Sequence, residues 1–365
     1  MKRKFLLAFI LPISLLTNSQ NLFVTKRDYS NPTYIHTLQK INSTNGLVIE
    51  NTNYTSNFPG SYSPRSLTYN HSTNEIIGLS DTNILTKKNV LNGNESTITL
   101  TSESSTDYQG VVAFNNRLFV TKRDYSNNPT IHYIVEVNIN NGNVISSHAL
   151  TSNIPSSYNR DLSFSNLTNE IFGMSGNIIY KYNIISGSET TLTLPIIASS
   201  DYTDMIIAEN RLFVVKRDYS VSPTIHTLLE LDINNGSTIN SNVFTINLTD
   251  FDKIKSLTFL ADTHEICGII EDGSSPQNFK IVKYNIINNL ENSFDLSSQS
   301  SMDYDEIVST FNEETLSNSS FENIENLKIV KAYNLLGQEI SIETSNQIII
   351  IQFENGMTKK VFNQK

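Results

Sequence analysis

NLFVTKRDYSNPTYIH, residues 21–36, recurs twice almost unchanged, as RLFVTKRDYSNNPTIH at 117–132 and RLFVVKRDYSVSPTIH at 211–226. The lysines Lys26, Lys122 and Lys216 are spaced by 96 and 94 residues, and His36, His132 and His226 each follow ten residues later. A fixed period of this kind marks a repeat architecture. A second motif is interleaved with the first: SLTYNHSTNEIIGL from Ser66, LSFSNLTNEIFGM from Leu162 and SLTFLADTHEICGI from Ser256. Each period therefore holds two units, and each unit reads as four short strands. Asn115-Asn116, Asn141-Gly142, Ser186-Gly187 and Asn235-Gly236 supply the turns. Four strands in 40 to 50 residues is one propeller blade. Three periods of two blades predict a six-bladed β-propeller over residues 20–312.

The ends of the repeat predict how the ring closes. DYQGVVAFNN from Asp107 and DYTDMIIAEN from Asp201 precede the second and third KRDYS segments, whereas the first has no such strand before it. A matching strand, DYDEIVSTFN from Asp303, follows the sixth blade with nothing after it to pair with. Residues 303–311 are therefore expected to complete blade 1 and so remove the exposed edges that invite aggregation. An open solenoid leaves that strand without a purpose.

Composition agrees with an all-β chain. Hydrophobic residues make up 38% and charged residues 17%, with Asn, Ser and Thr filling much of the rest. At the N-terminus Lys2, Arg3 and Lys4 precede an apolar run from Phe5 to Leu16, and Thr17-Asn18-Ser19 offers small residues for cleavage. Residues 1–19 thus read as an export signal. Twelve apolar residues are too few to span a bilayer, and no later stretch is longer, so no transmembrane segment is expected. The lone Cys267 cannot form an internal disulfide and falls within a strand pattern, as a core residue would. Loss of the signal moves the formal net charge from −10 to −13. That acidity argues against a nucleic-acid partner.

Beyond a polar linker at 313–323, the chain changes character. Val330-Lys331-Ala332-Tyr333-Asn334-Leu335-Leu336-Gly337-Gln338-Glu339 is followed by an apolar strand from Ile348 to Phe353, a turn at Glu354-Asn355-Gly356, and a basic ending at Lys359-Lys360-Val361. This order of motifs resembles the C-terminal sorting domain of proteins exported by the type IX secretion system of Bacteroidetes. The resemblance covers roughly the last 45 residues and lacks the Asn-Pro lead-in. It implies a small β-sandwich-like sorting domain over 324–365, with Tyr333, Asn334, Leu336, Gly337, Gln338, Gly356, Lys359 and Lys360 as the sorting signal. It further implies the secretion machinery as partner, and delivery to the outer cell surface or the medium.

In a propeller, the loops joining a blade's second and third strands share a face with the connections between blades. Lys26, Arg27 and Asp28, with Lys122, Arg123 and Asp124 and with Lys216, Arg217 and Asp218, are predicted to lie on that face. Arg65, Arg160 and Lys255, near the starts of the even blades, join them. Clustered charge of both signs around a channel can grip a polar polymer or a protein. The same residues could instead form a structural lattice, each Asp neutralising an Arg of the neighbouring blade. The histidines keep repeat spacing rather than metal-ligand spacing, and no cofactor, metal or catalytic motif is evident. The recurrence of Glu75, Glu170 and Glu265 suggests a structural role at a strand start. The face looks alike in all three periods, which favours binding over catalysis. An extracellular hydrolase or lyase remains the alternative, and it requires an asymmetric channel with paired carboxylates. A scaffold for oligomerisation at the cell surface is a third reading.

Overall fold

The computed structural model describes residues 21–30, 34–55, 66–80, 83–151, 162–246, 253–271, 278–296, 301–310, 329–334, 338–341, 347–353 and 358–363. The expected signal (1–19) and linker (313–323) lie outside these. The chain divides into two compact units, Met1–Glu313 and Glu314–Lys365.

The first unit is the six-bladed propeller. Strands β1 (Leu22–Asp28), β2 (Ile35–Ile41) and β3 (Val48–Asn53) belong to blade 1. Blade 2 is β4 (Ser66–Asn70), β5 (Glu75–Leu79), β6 (Ile84–Asn89) and β7 (Glu95–Thr99). Blade 3 is β8 (Thr106–Phe114), β9 (Arg117–Asp124), β10 (Ile131–Val137) and β11 (Val144–Ala149). Blade 4 is β12 (Leu162–Ser165), β13 (Glu170–Ser175), β14 (Ile178–Asn183) and β15 (Glu189–Thr193). Blade 5 is β16 (Ser200–Ala208), β17 (Arg211–Asp218), β18 (Ile225–Leu231) and β19 (Thr238–Val243). Blade 6 is β20 (Lys253–Leu260), β21 (Glu265–Glu271), β22 (Phe279–Asn285) and β23 (Glu291–Asp295), and β24 (Met302–Ser309) follows it. Among the described residues there is no helix.

Blade 1 is completed from the far end of the repeat, in the order β24-β1-β2-β3. Leu22 stands opposite Ser309 and Arg27 opposite Asp303. The backbone N–H groups of Thr310 and Asn21 donate across the seam, to Asn21 O at 3.0 Å and to Thr310 Oγ1 at 3.0 Å. Tyr304 is fully buried there, edge-on to Phe279 at 5.2 Å. The expected closure is observed.

Alternation along each strand sends one set of apolar residues to each neighbouring blade. Among the described residues the buried core is accordingly six clusters, one per joint between blades. Cys267 sits in the cluster between blades 6 and 1, where burial pushes its thiol pKa up and leaves it a packing residue.

The joints are of two kinds. From even to odd blades, strand ends are separated by six residues each time (100–105, 194–199, 296–301). Hydroxyls of the even blade's innermost strand accept backbone N–H bonds from the odd one: Ser66 from Val111 (3.2 Å), Thr68 from Ala113 (3.0 Å), Ser163 from Ile207 (2.9 Å), Ser256 from Ile307 (2.8 Å) and Thr258 from Ser309 (2.9 Å). From odd to even blades the separations are twelve, twelve and nine residues. Here a glutamate beginning the even blade's outer strand accepts the N–H that follows the odd blade's outer strand. Glu95 takes Thr55, Glu189 takes Thr151 and Glu291 takes Thr245, at 3.0, 2.8 and 2.7 Å.

On the face opposite KRDYS, each hairpin from third to fourth strand closes with an Asx turn. Asn42, Asn89, Asn138, Asn183, Asp232 and Asn285 each accept an N–H two residues on. Five of these turns end on a glycine with φ between 70° and 74°, and the sixth on Asn289 at 60°. The expected Asn-Gly and Ser-Gly signals belong to these turns.

In the second unit, β25 (Ile329–Tyr333), β26 (Glu339–Ile340), β27 (Gln347–Phe353) and β28 (Thr358–Asn363) make one antiparallel sheet, in the order β26-β25-β27-β28. Asn334 and Gln338 close the turn between β25 and β26: Gln338 N donates to Asn334 Oδ1 at 3.0 Å and Asn334 N to Gln338 O at 2.9 Å. Lys331 pairs with Glu339 at 2.8 Å. Tyr333 ends β25 and Lys359 and Lys360 lie in β28, while Leu336, Gly337 and Gly356 fall outside the described residues.

Candidate functional site

The KRDYS segments end the second strands of blades 1, 3 and 5, beside the Asp-Tyr pairs that begin the first strands. The arginine of each is directly opposite the aspartate of its own blade in register: Arg27 with Asp303, Arg123 with Asp107 and Arg217 with Asp201. Each forms an ion pair there. Arg123 is bidentate, with Nε to Oδ1 at 3.1 Å and Nη2 to Oδ2 at 2.6 Å. Arg217 makes the same two contacts with Asp201. The aspartate that meets each arginine therefore comes from the innermost strand of the same blade. The sequence pattern pointed to a neighbouring blade, and antiparallel pairing is what corrects it.

The other charged groups of the motif go elsewhere. Lysine and arginine are adjacent on a strand and so project to opposite faces. Lys122 meets Glu103 at 3.0 Å and lies 5.7 Å from the Tyr133 ring. Asp28, Asp124 and Asp218 turn inward on their own loops, accepting the N–H of Ser30, Ser126 and Ser220 at 2.9, 2.9 and 3.0 Å. Bonds from the serines hold these carboxyls below their ordinary pKa.

Behind each arginine, one strand further out, lies a buried histidine: His36 opposite Arg27, His132 opposite Arg123 and His226 opposite Arg217. Burial, reinforced by the Arg27 charge, pushes His36 down to about 4, and burial and Arg123 lower His132 likewise. Both are neutral packing groups at pH 7. Among the described residues no group of three His, Cys, Asp or Glu is placed to hold a metal.

What the motif presents to solvent is its tyrosine. Tyr29, Tyr125 and Tyr219 are 38%, 52% and 50% exposed, each with its guanidinium 6.0, 5.8 and 5.5 Å from the ring centroid. The guanidiniums are held by carboxylates, so the rings stand on a preset base. Three exposed aromatics, one per odd blade, thus occupy one face. Sequence reasoning concentrated on the charges and missed these tyrosines, although they are invariant within the repeat.

Along the innermost strands of the odd blades the threefold likeness fails. A β-bulge follows the Asp-Tyr pair in every odd blade, and the residues it re-aims differ: Gln109-Gly110, Thr203-Asp204 and Asp305-Glu306. Asp204 accepts the N–H of Leu257 at 2.7 Å, and Glu306 accepts the hydroxyl of Ser256 at 2.7 Å. Ser256 lies in a bulge of β20 with φ 55°, a costly conformation for a residue other than glycine. Lys255 reaches Glu271 at 2.9 Å. Burial works against its charge, but Asp305, Glu271 and Glu306 outweigh that and raise its pKa. Blades 5, 6 and 1 therefore share a carboxylate-rich sector that corrects the expectation of a uniform face. Arg65 and Arg160, the repeat equivalents of Lys255, lie outside the described residues. At the centre of the ring lies a cavity of about 130 Å³, lined by all six innermost strands.

No family model matches this chain. No curated protein matches it either. Among solved structures it is similar to a chain in the crystal structure of a mitotic checkpoint complex, at 11% identity and a TM-score of 0.45, over 84% of this chain and 78% of that one. At that level of likeness nothing follows about what this chain binds. Glu75 and Glu265, recurrent in the even blades, accept the hydroxyls of Thr73 and Thr263 at 2.7 and 2.6 Å and pair with Lys87 and Lys283 at 3.5 and 2.7 Å. These contacts secure strand starts.

Proposed function

We propose that this is a non-enzymatic interaction propeller that binds a polar polymer or another protein through its KRDYS face. The observation that carries the reading is the set of three exposed tyrosines, each backed by an arginine that is itself pinned by an aspartate. Such rings offer contact area at low cost in conformational entropy. Three equivalent sites on one ring also suit a repeating ligand, because linked weak contacts multiply. Binding of glycans, polysaccharides or a surface protein through these rings predicts that Tyr29→Ala, Tyr125→Ala and Tyr219→Ala together abolish capture on a polysaccharide array. The thermal transition should stay within about 1 kcal/mol of wild type, since the rings are exposed. Capture unchanged in the triple variant would overturn the assignment of this face.

Export completes the proposal. The N-terminal signal and the resemblance of residues 324–365 to a type IX sorting domain support passage across both membranes, to the cell surface or the medium. Removing 324–365 is expected to trap the propeller between the membranes, as measured by fractionation; continued release would sink the sorting role. A hydrolase or lyase is the second reading, favoured by the carboxylate sector of Asp204, Asp305 and Glu306. Asp204 and Glu306 are engaged in bonds between blades, which supports binding over acid–base work. Digestion of a polysaccharide panel by the wild type but not by Glu306→Gln would reverse that order.

A further inference from the structure

The three connections that lead from an even blade into an odd one are held alike but differ in composition. Tyr29, Tyr125 and Tyr219 donate their backbone N–H groups to Ser301, Ser105 and Ser199 O at 2.9, 3.0 and 2.9 Å, so the positions correspond. Before blade 3 the stretch reads Thr101-Ser102-Glu103-Ser104, and before blade 1 it reads Ser-Ser-Gln-Ser at 297–300. Before blade 5 it is Pro195-Ile196-Ile197-Ala198. Within the KRDYS loop itself, Val221 of blade 5 stands where blade 3 has Asn127. Apolar residues have thus replaced polar ones where water reaches them. Ile196 is 85% exposed, and Ile197, Val221 and Ile225 are 44%, 46% and 39% exposed beside Tyr219. Apolar residues scattered singly need no explanation, but a group on two bonded loops marks an interaction surface.

Two charges change with them. In blade 3 Lys122 pairs with Glu103 at 3.0 Å, and Asn127 Nδ2 donates to Asp124 Oδ2 at 3.3 Å. Ile197 and Val221 take the places of those two partners in blade 5. Among the described residues Lys216 has no ion pair, and Asp218 takes its bonds from Ser220 on Oδ1 alone, at 3.0 and 2.6 Å. Lys216 and Asp218 are two residues apart on β17 and so share a strand face, with Ile225 opposite Asp218. The apolar patch therefore carries one ammonium and one carboxylate, each released by an exchange to an aliphatic residue.

We propose that this surface is an interface with a second copy of the chain. In a twofold contact each patch meets itself, so Lys216 of either copy faces Asp218 of the other while the aliphatic residues and Tyr219 cover one another. A foreign partner needs an apolar centre flanked by both signs at the same spacing, which the chain itself possesses. This goes beyond the reading of the tyrosine face and does not rest on it. Tyr29 and Tyr125 lie on other blades and stay open in the pair, which links four such rings for a repeating ligand.

The test is sedimentation equilibrium of the full chain. The patch is small beside a stable interface, so a monomer–dimer equilibrium with a midpoint on the order of 10 µM is expected. Ile196→Ser with Ile197→Glu gives blade 5 the residues of blade 3. It should weaken the dimer at least roughly tenfold with the melting curve preserved, because both side chains are exposed. Val221→Asn, which returns a donor to Asp218, should act in the same direction. Leu91→Asn removes a side chain that is 77% exposed on the opposite face and should leave the midpoint unchanged. When isotope-labelled and unlabelled copies are mixed and joined by carbodiimide, Lys216–Asp218 links of mixed label are expected. The proposal fails if the chain stays monomeric at about 100 µM, if the Ile196 and Ile197 variant associates like the wild type, or if Leu91→Asn is as damaging. Dimers that give no mixed Lys216–Asp218 link overturn it as well. Polymer capture is measured on the same samples, so a monomer that still captures polymer sinks this proposal alone.

Discussion

The joint leading from an even blade to an odd one and the joint leading from an odd blade to an even one are built from different parts. The first is short and is sewn beside the channel by serine and threonine hydroxyls that accept buried backbone N–H groups. The second is spanned by a longer connection and is tied at the outer rim by an exposed or half-exposed N–H to a glutamate. The tyrosines of the Asp-Tyr pairs pack into the first kind: Tyr108 donates to Thr101 O at 2.8 Å and Tyr202 to Pro195 O at 3.0 Å. This difference explains why the repeat is about 95 residues long rather than half that. One blade alone cannot carry both halves of both joints, so the unit that recurs is the pair.

The largest expected effect comes from breaking the joint between blades 6 and 1. Ending the chain at residue 301 deprives β1 of its partner and leaves both an open edge and the Tyr304 site empty. Loss of the cooperative thermal transition is expected, a change comparable to the whole stability of about 5–15 kcal/mol. A melting curve like the wild type's would mean that the seam is dispensable.

A second effect is confined to the odd blades. In the folded chain His36 stays neutral down to about pH 4, whereas in the unfolded chain it accepts a proton near 6.5. The unfolded state therefore binds more protons in that window. Stability is full above about 6.5 and falls as the pH drops toward 4, by up to about 3 kcal/mol from His36. His132 acts in the same direction. His36→Gln should flatten the acid limb of a denaturation series between these pH values, and an unchanged limb would remove His36 from the account.

The smallest effects separate the two joints directly. Thr258→Val strips the acceptor from a buried N–H and is expected to cost about 1–3 kcal/mol. Glu291→Gln at the rim keeps a weaker acceptor and should cost under about 1 kcal/mol. Urea midpoints that rank the pair the other way round would show that the rim, not the channel, holds the blades together.

Much of this was legible in the residues. The spacing of Lys26, Lys122 and Lys216 defined the period, and the unpaired DYDE strand defined the seam. The partner of Arg27 was not legible, because it depends on the register that sets Asp303 opposite it rather than on any interval in the chain. Gln109-Gly110, Thr203-Asp204 and Asp305-Glu306 are visibly different in sequence. Their importance appears only once the bulges bring Asp204 and Glu306 to Leu257 and Ser256 of blade 6. Asn21 and Lys40 depart from the repeat just as plainly, but that Lys40 stands across from Phe23 follows only from the register of β1 and β2. Residues carry the pattern, and pairing assigns the neighbours.

The seam has a consequence for the order of events in the life of the chain. Asn21 and Thr310, which bond to each other, are separated by 289 positions. Of the propeller's described strands, β1 is synthesised first and waits longest for its mate. Contacts so distant along the chain form slowly, and until they form, blade 1 is a three-stranded remnant with an unclosed flank. A chain emerging in sequence can assemble blades 2 to 6 while it lengthens, but it becomes a ring only when its last propeller strand arrives. Any step that requires an open chain, such as threading through a narrow passage, has its natural opportunity before that moment and little chance after it.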